Sequence, residues 1–194
     1  MRHRLIAYGT QFKKWQNDSY KKELTKMLEI RILTENDAHE YWDLRKQALL
    51  DVPDAFGMSY EEAMAIENPI DEVKEVTKGD LKDFYGVFLD GELVGAATLS
   101  QEDSEKMSHR ANIEAVYVSS KARGTGAGSA LLKKIIEDAR KNPELEKLNL
   151  SVVTTNEPAV ALYKRLGFEI IGTEQLSMKQ DGTYFDEYLM TLIL

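Results

Sequence analysis

The sequence predicts a single α+β domain, and three observations carry that expectation. Two apolar runs, residues 84–89 and 92–99, flank Asp90-Gly91, a strong β-hairpin signal. A β-branched run ending at Val118 leads through a basic, glycine-rich turn into a helical pattern. That pattern sets Leu131, Leu132, Ile135, Ile136 and Ala139 on one face. Two last apolar runs, about 169–178 and 184–193, surround Asp181-Gly182. No internal repeat, low-complexity tract or linker divides the chain, and 194 residues suffice for one domain with a real core.

Residues 1–26 are basic and aromatic, without clear periodicity, and no long apolar stretch follows their arginines as in a signal peptide. Lys22-Glu23 can be encoded AAGGAG, a bacterial ribosome-binding sequence placed a few codons before Met27. The expectation is therefore an N-terminal extension over 1–26, with translation starting at Met27 and one domain over 27–194. A genuine extension is the competing reading.

From Leu28 the pattern sharpens. Leu28, Ile30 and Ile32 alternate with polar residues, as in a half-buried strand. Thr34 with Asp37 marks a helix start, and Ala38, Tyr41, Trp42, Leu44 and Leu49 follow at helical spacing. Residues 52–57 break that helix. Ser59 with Glu62 opens a short second helix, and Pro69 starts a third that Gly79 closes. After the hairpin come an acidic loop at 101–108 and a strand over about 111–118. Asn142-Pro143 ends the next helix, residues 148–153 form a buried strand, and a last helix runs from Pro158 to Gly167.

Composition excludes several classes. There is no cysteine, so neither a disulfide framework nor a thiolate metal site is available. His3, His39 and His109 lie too far apart for a metal-ligand spacing, and no metal is expected. No apolar run approaches the ~20 residues of a membrane span, and the protein is expected in the cytoplasm. A formal charge of −8 argues against general nucleic-acid binding.

The glycine-rich turn carries the chemistry. Gly124, Gly126 and Gly128 remove side chains where backbone N–H groups can face a ligand, at the positive end of the following helix, and Arg123 adds a full charge. A tight connection with no ligand is the competing reading. The turn is not a P-loop, which ends in Gly-Lys-Ser/Thr. Nor is it a dinucleotide fingerprint, since it reads Gly-x-Gly-x-Gly late in the chain.

Together with Asn156, Ala159, Leu162, Tyr163, Gly167 and Phe168 downstream, the loop Arg123-Gly-Thr-Gly-Ala-Gly128 resembles the GNAT superfamily of acetyl-CoA-dependent N-acetyltransferases. The likeness runs from Leu28 to the C-terminus. It implies a mixed, mostly antiparallel sheet of about seven strands, splayed between strands 4 and 5 and flanked by helices. It further implies acetyl-CoA as cosubstrate and a primary amine of a small molecule or peptide as acceptor. No nucleic acid or membrane partner is implied, and homodimers are common in the superfamily. In this frame Val116 and Val118 pair with pantetheine through their backbones, or simply pack in the core. The N–H groups of Gly124, Gly126, Ala127 and Gly128 hold the pyrophosphate, with Arg123 beside them. Asn156 sits near the pantetheine or caps the Pro158 helix. Tyr163 is the general acid for the leaving thiolate, or packs on its helix face. Glu114 is the candidate base, placed by period-2 alternation on the face of Val116 and Val118, or a solvated strand carboxylate. His109 is the runner-up base. A non-catalytic acyl-CoA-binding or sensing module is the alternative function.

The acceptor is not legible. Residues 34–78 and 101–108 would shape its site. Glu61, Glu62, Glu102, Asp103 and Glu105 there either attract a cationic amine or are solvated. Tyr41, Trp42, Phe56 and Tyr60 line the pocket or pack in the core.

Overall fold

The computed structural model describes residues 27–79 and 81–194; the extension expected over 1–26 lies outside them. Among the described residues, seven strands form one sheet: β1 (Leu28–Ile32), β2 (Lys82–Leu89), β3 (Glu92–Gln101), β4 (Arg110–Val118), β5 (Lys147–Val153), β6 (Glu169–Gln180) and β7 (Thr183–Ile193). Their order is β1-β2-β3-β4-β5-β7-β6. Every pairing is antiparallel except β4 with β5. The expected mixed, mostly antiparallel sheet is what forms.

Five α-helices of the described residues join it: α1 (Ala38–Asp51), α2 (Tyr60–Met64), α3 (Pro69–Val76), α4 (Ala127–Ala139) and α5 (Glu157–Arg165). Both expected starts are present. The Ser59 hydroxyl accepts the Glu62 N–H at 3.1 Å while the Glu62 carboxylate accepts the Ser59 N–H at 2.7 Å, which opens α2. Asp37 accepts the Thr34 N–H at 2.8 Å and the two guanidinium arms of Arg31 at 2.6 and 2.8 Å. A single 3-10 turn intervenes before α1 begins at Ala38.

The two faces of the sheet bury different cores. On one, Val87, Leu99, Ile113, Leu148 and Met190 meet Leu131, Leu132 and Ile135 of α4 and Tyr163 of α5. Those three α4 side chains are fully buried, each contributing about 2 kcal/mol of transfer free energy. On the other, Phe84, Phe88, Ala96 and Tyr117 meet Leu44 and Ala48 of α1. Ile32 departs from its expected half-buried state; at the sheet's edge strand it is 45% exposed. Among the described residues, no helix is long and apolar enough to cross a membrane.

Candidate functional site

The site grows out of one interruption in the sheet. β4 and β5 pair only at Arg110–Lys147, Ala111–Leu148 and Asn112–Asn149, and then part. Beyond Asn112 the β5-facing edge of β4 has no neighbouring strand among the described residues. Ser119 donates its N–H to Val94 of β3 at 2.8 Å. Backbone direction alternates along a strand, so the backbones of Val118 and Val116 face the gap. The cleft so opened holds about 1440 Å³, well above the ~300–1,000 Å³ of most small-ligand pockets. It has room for a long cofactor and an acceptor together.

At one end of the cleft the chain turns into α4. Gly124 and Gly126 have φ of +77° and +86°, the left-handed region that a side chain disfavours. A Cβ built on either would point into open space. Among the described residues, no acceptor meets the N–H groups of Gly124, Gly126 or Gly128. Two expectations need adjusting here. Gly128 has an ordinary φ, and a Cβ on it would rest 3.6 Å from Val118 Cγ2, so backbone conformation does not require glycine there. The Ala127 N–H already leans on Thr125 Oγ1 at 3.4 Å. Arg123 is exposed and lines the cleft beside them. Free N–H groups, a helix dipole and a guanidinium suit an anion.

Tyr163 reaches the cleft from α5, packed edge-on against Phe168 with ring centroids 6.0 Å apart. Its hydroxyl has no hydrogen-bond partner among the described residues, and burial pushes the phenol up to about 12. Asn156 also lines the cleft, and its carboxamide oxygen caps α5 by accepting the Ala159 N–H at 3.3 Å. The capping role is thus realised.

Glu114 does not share the face of Val116 and Val118, as simple alternation would require. β4 carries one residue too many between Glu114 and Tyr117: Thr98 opposes Glu114 while Ala96 opposes Tyr117. Ala115 absorbs the extra residue at φ +52°, a β-bulge. Alternation therefore resets. Val116 and Val118 pack on the α4/α5 core, whereas Glu114 emerges on the α1 face, with Tyr117. Because the cleft passes through the splayed sheet, Glu114 still lines it, from the side opposite the valines. His109 does not line it; its carbonyl accepts the N–H groups of Glu146 and Lys147.

Of the four aromatic acceptor candidates, only Phe56 lines the cleft; Tyr41 stacks edge-on against Phe84 in the α1 core. None of the five acidic candidates lines it either. Glu62 is the α2 cap, and Glu102 binds Arg110 and Asn112. Instead the cleft gathers Arg45, Ser151 and Glu187 from α1, β5 and β7, which sequence reasoning missed. Glu187 accepts the hydroxyls of Ser151 and Ser177 at 3.0 and 2.6 Å. The local signal for Arg45 was an arginine four residues after Tyr41 on an apolar helix stripe. Glu187 had none, since only strand order brings β7 beside β5.

Comparison with known proteins follows the same lines. Residues 47–168 match the family described as Acetyltransferase (GNAT) family. The chain is 32% identical over 105 residues to the L-amino acid N-acetyltransferase AaaT of Escherichia coli K12, covering 54% of this chain and 64% of that one. It is 27% identical over 90 residues to the spermine/spermidine N(1)-acetyltransferase of Bacillus subtilis 168, covering 45% and 59%. The chain thus spans roughly three-fifths of the length of these curated relatives. A GNAT-family acetyltransferase structure from Streptococcus pneumoniae superposes with a TM-score of 0.77 at 25% identity, covering 87% of this chain and all of that one. A putative acetyltransferase from Salmonella typhimurium, solved with its cofactor acetyl-CoA, shares the fold at a TM-score of 0.74 and 18% identity, covering 87% and 94%.

Proposed function

The chain belongs to the acetyltransferase (GNAT) family, and we propose that it moves an acetyl group from acetyl-CoA to a primary amine of a small molecule or peptide by direct attack. The observation that carries the reading is the row of free N–H groups at the head of α4, continuous with the unpaired edge of β4 along one cleft. The relatives named for amino-acid and spermine/spermidine acetylation support a small-molecule amine, and the Salmonella structure supports the cofactor. As parts of the same proposal, residues 27–194 form the catalytic domain and the protein works in the cytoplasm.

Gly124, Gly126 and Gly128 would hold the pyrophosphate through their N–H groups, with Arg123 supplying charge. Val116 and Val118 would hydrogen-bond the pantetheine amides as a missing strand would, and Asn156 would flank them. When bound, acetyl-CoA supplies a thioester, which needs no metal once an amine is aligned with it. Among the described residues no acidic or histidine cluster suited to a metal ion forms.

Glu114, on the α1 face, would take the proton from the incoming amine directly or through water. At pH 7, removing that proton from a lysine-like amine costs roughly 4–5 kcal/mol, so a positioned base has work to do. Tyr163, on the opposite face, would donate a hydrogen bond to the leaving sulfur. A phenol near 12 stays neutral at any working pH. Full proton transfer to a thiolate of ordinary pKa ~8.5 would be uphill by about 4–5 kcal/mol. Tyr163 is therefore a hydrogen-bond donor more than an acid.

The test is CoA release, followed with a thiol reagent, over a panel of amines. Amine-dependent turnover supports the reading. Saturable acetyl-CoA binding without turnover on any amine would instead assign the protein to acyl-CoA sensing.

A further inference from the structure

Two arginines of the cleft, Arg45 and Arg110, each bury a nitrogen without a partner, but Arg110 pairs with Glu102 while Arg45 pairs with no carboxylate among the described residues. Arg45 projects from α1 on the face that carries Glu114, and it lines the cleft. Its Nη1 is buried with no hydrogen-bond partner, and no carboxylate pairs with the side chain among the described residues. The guanidinium carbon lies 4.6 Å from the centroid of the Phe56 ring, a cation–π contact. Burial draws its pKa below the ordinary arginine value, as expected of a cation held without an anion. A neighbouring void of about 10 Å³, bounded by Tyr41, Ala115 and Tyr117, is too small for anything beyond a water.

Burying one guanidinium nitrogen unpaired is costly, and the loss of its water is offset best by an anion of matching shape. A carboxylate fits, because the planar fork binds its two oxygens together. Among the described residues the cleft has two carboxylates, and neither serves Arg45: Glu187 is held by Ser151 and Ser177, and Glu114 makes no ion pair with it. We infer that Arg45 receives the carboxylate of the acceptor, so that the preferred substrates are amines carrying a carboxylate close to the nitrogen, such as free α-amino acids. The amine would lie by Glu114 and the carboxylate by Arg45, on the same face of the sheet. A polyamine, all cation, would be opposed by the same guanidinium. The inference rests on the acetyl-transfer reading and names its substrate class.

The experiment compares kcat/KM for L-amino acids, their carboxamides and spermidine, each corrected for its free-amine fraction. The proteins are the wild type, Arg45→Met, which keeps an unbranched stem against Phe56, and Arg45→Lys. One charge-assisted pair is expected to give the wild type an acid-to-amide preference of about 30- to 100-fold. In Arg45→Met that ratio falls to near one, and in Arg45→Lys, a charge without the fork, it lies between. Circular dichroism confirms folding, and calorimetry measures amino-acid binding to each protein with CoA present. A wild type that acetylates amides or spermidine as well as amino acids overturns the inference and leaves acetyl transfer standing. An acid preference that survives in Arg45→Met does the same, assigning the guanidinium to packing or a bound water. Arg45-dependent amino-acid binding without turnover on any amine supports the carboxylate site and overturns acetyl transfer. Neither binding nor turnover overturns both.

Discussion

Replacing Gly126 by glutamate separates what the loop does for folding from what it does for binding. Gly126 stands at φ +86° just before α4, and a Cβ there meets no atom of the described residues within 4 Å. A side chain therefore costs left-handed strain alone, about 1–2 kcal/mol. In a domain of this size that lowers Tm by about 2–8 °C. The new carboxylate enters the space in front of the free N–H groups. At ~5.5 Å from a phosphate charge, with an effective dielectric of ~20, the repulsion is about 3 kcal/mol, or about 100-fold in affinity. Gly126→Ala carries the strain without the charge and is expected to lose less than ~5-fold. Calorimetric titration with acetyl-CoA, beside a thermal melt of each protein, reads both quantities. A folded Gly126→Glu protein that binds acetyl-CoA within about 3-fold of the wild type would refute the cradle.

Other expectations follow from single residues. Tyr163→Phe removes a hydroxyl with no partner among the described residues, so stability holds or rises slightly while kcat falls about 10- to 100-fold, the worth of one hydrogen bond to a charged sulfur; CoA-release kinetics and a melt check it. Glu114→Gln is expected to slow turnover at pH 7 by about 10- to 100-fold. The deficit should shrink as pH approaches the amine's own pKa, and a deficit constant with pH would remove Glu114 as base. Hydrogen bonds from Arg31 and Thr34 hold the Asp37 carboxyl well below its ordinary value. Its stabilisation is complete above the unfolded value near 3.9 and is lost as pH falls through the folded one. Asp37→Asn is therefore expected to cost about 2 kcal/mol at pH 7 and progressively less in acid, measured by urea melts at pH 7 and pH 3. Ala115→Gly relieves the left-handed strain of the bulge and is expected to raise stability by about 0.5–1 kcal/mol; a lower Tm would show that the bulge is not strained at Ala115.

Where residues signal through neighbours in sequence, the chain was legible. Asp90-Gly91 and Asp181-Gly182 each join paired strands, Ser59 and Glu62 cap α2 as their spacing requires, and the glycine loop opens α4. What sequence reasoning misplaced depends on distant partners. A bulge is the mismatch between two strands, and nothing in Asn112-Ile-Glu-Ala-Val116 announces that β3 spends one residue fewer opposite it. The error mattered, since it moved Glu114 to the other side of the sheet from Val116. The acidic residues of the 101–108 loop looked like an acceptor site because charge is visible in sequence, while their distance from the cleft is not. Arg45 and Glu187 became visible only once the sheet order had brought α1, β5 and β7 around the gap.

Amide hydrogen exchange, with and without CoA, tests the central claim most directly. Slowed exchange is expected to concentrate at the N–H groups of Val116, Val118, Gly124, Gly126 and Gly128, which find no acceptor among the described residues on the cleft side. Saturable CoA binding that leaves these five amides exchanging at their free rates would contradict it.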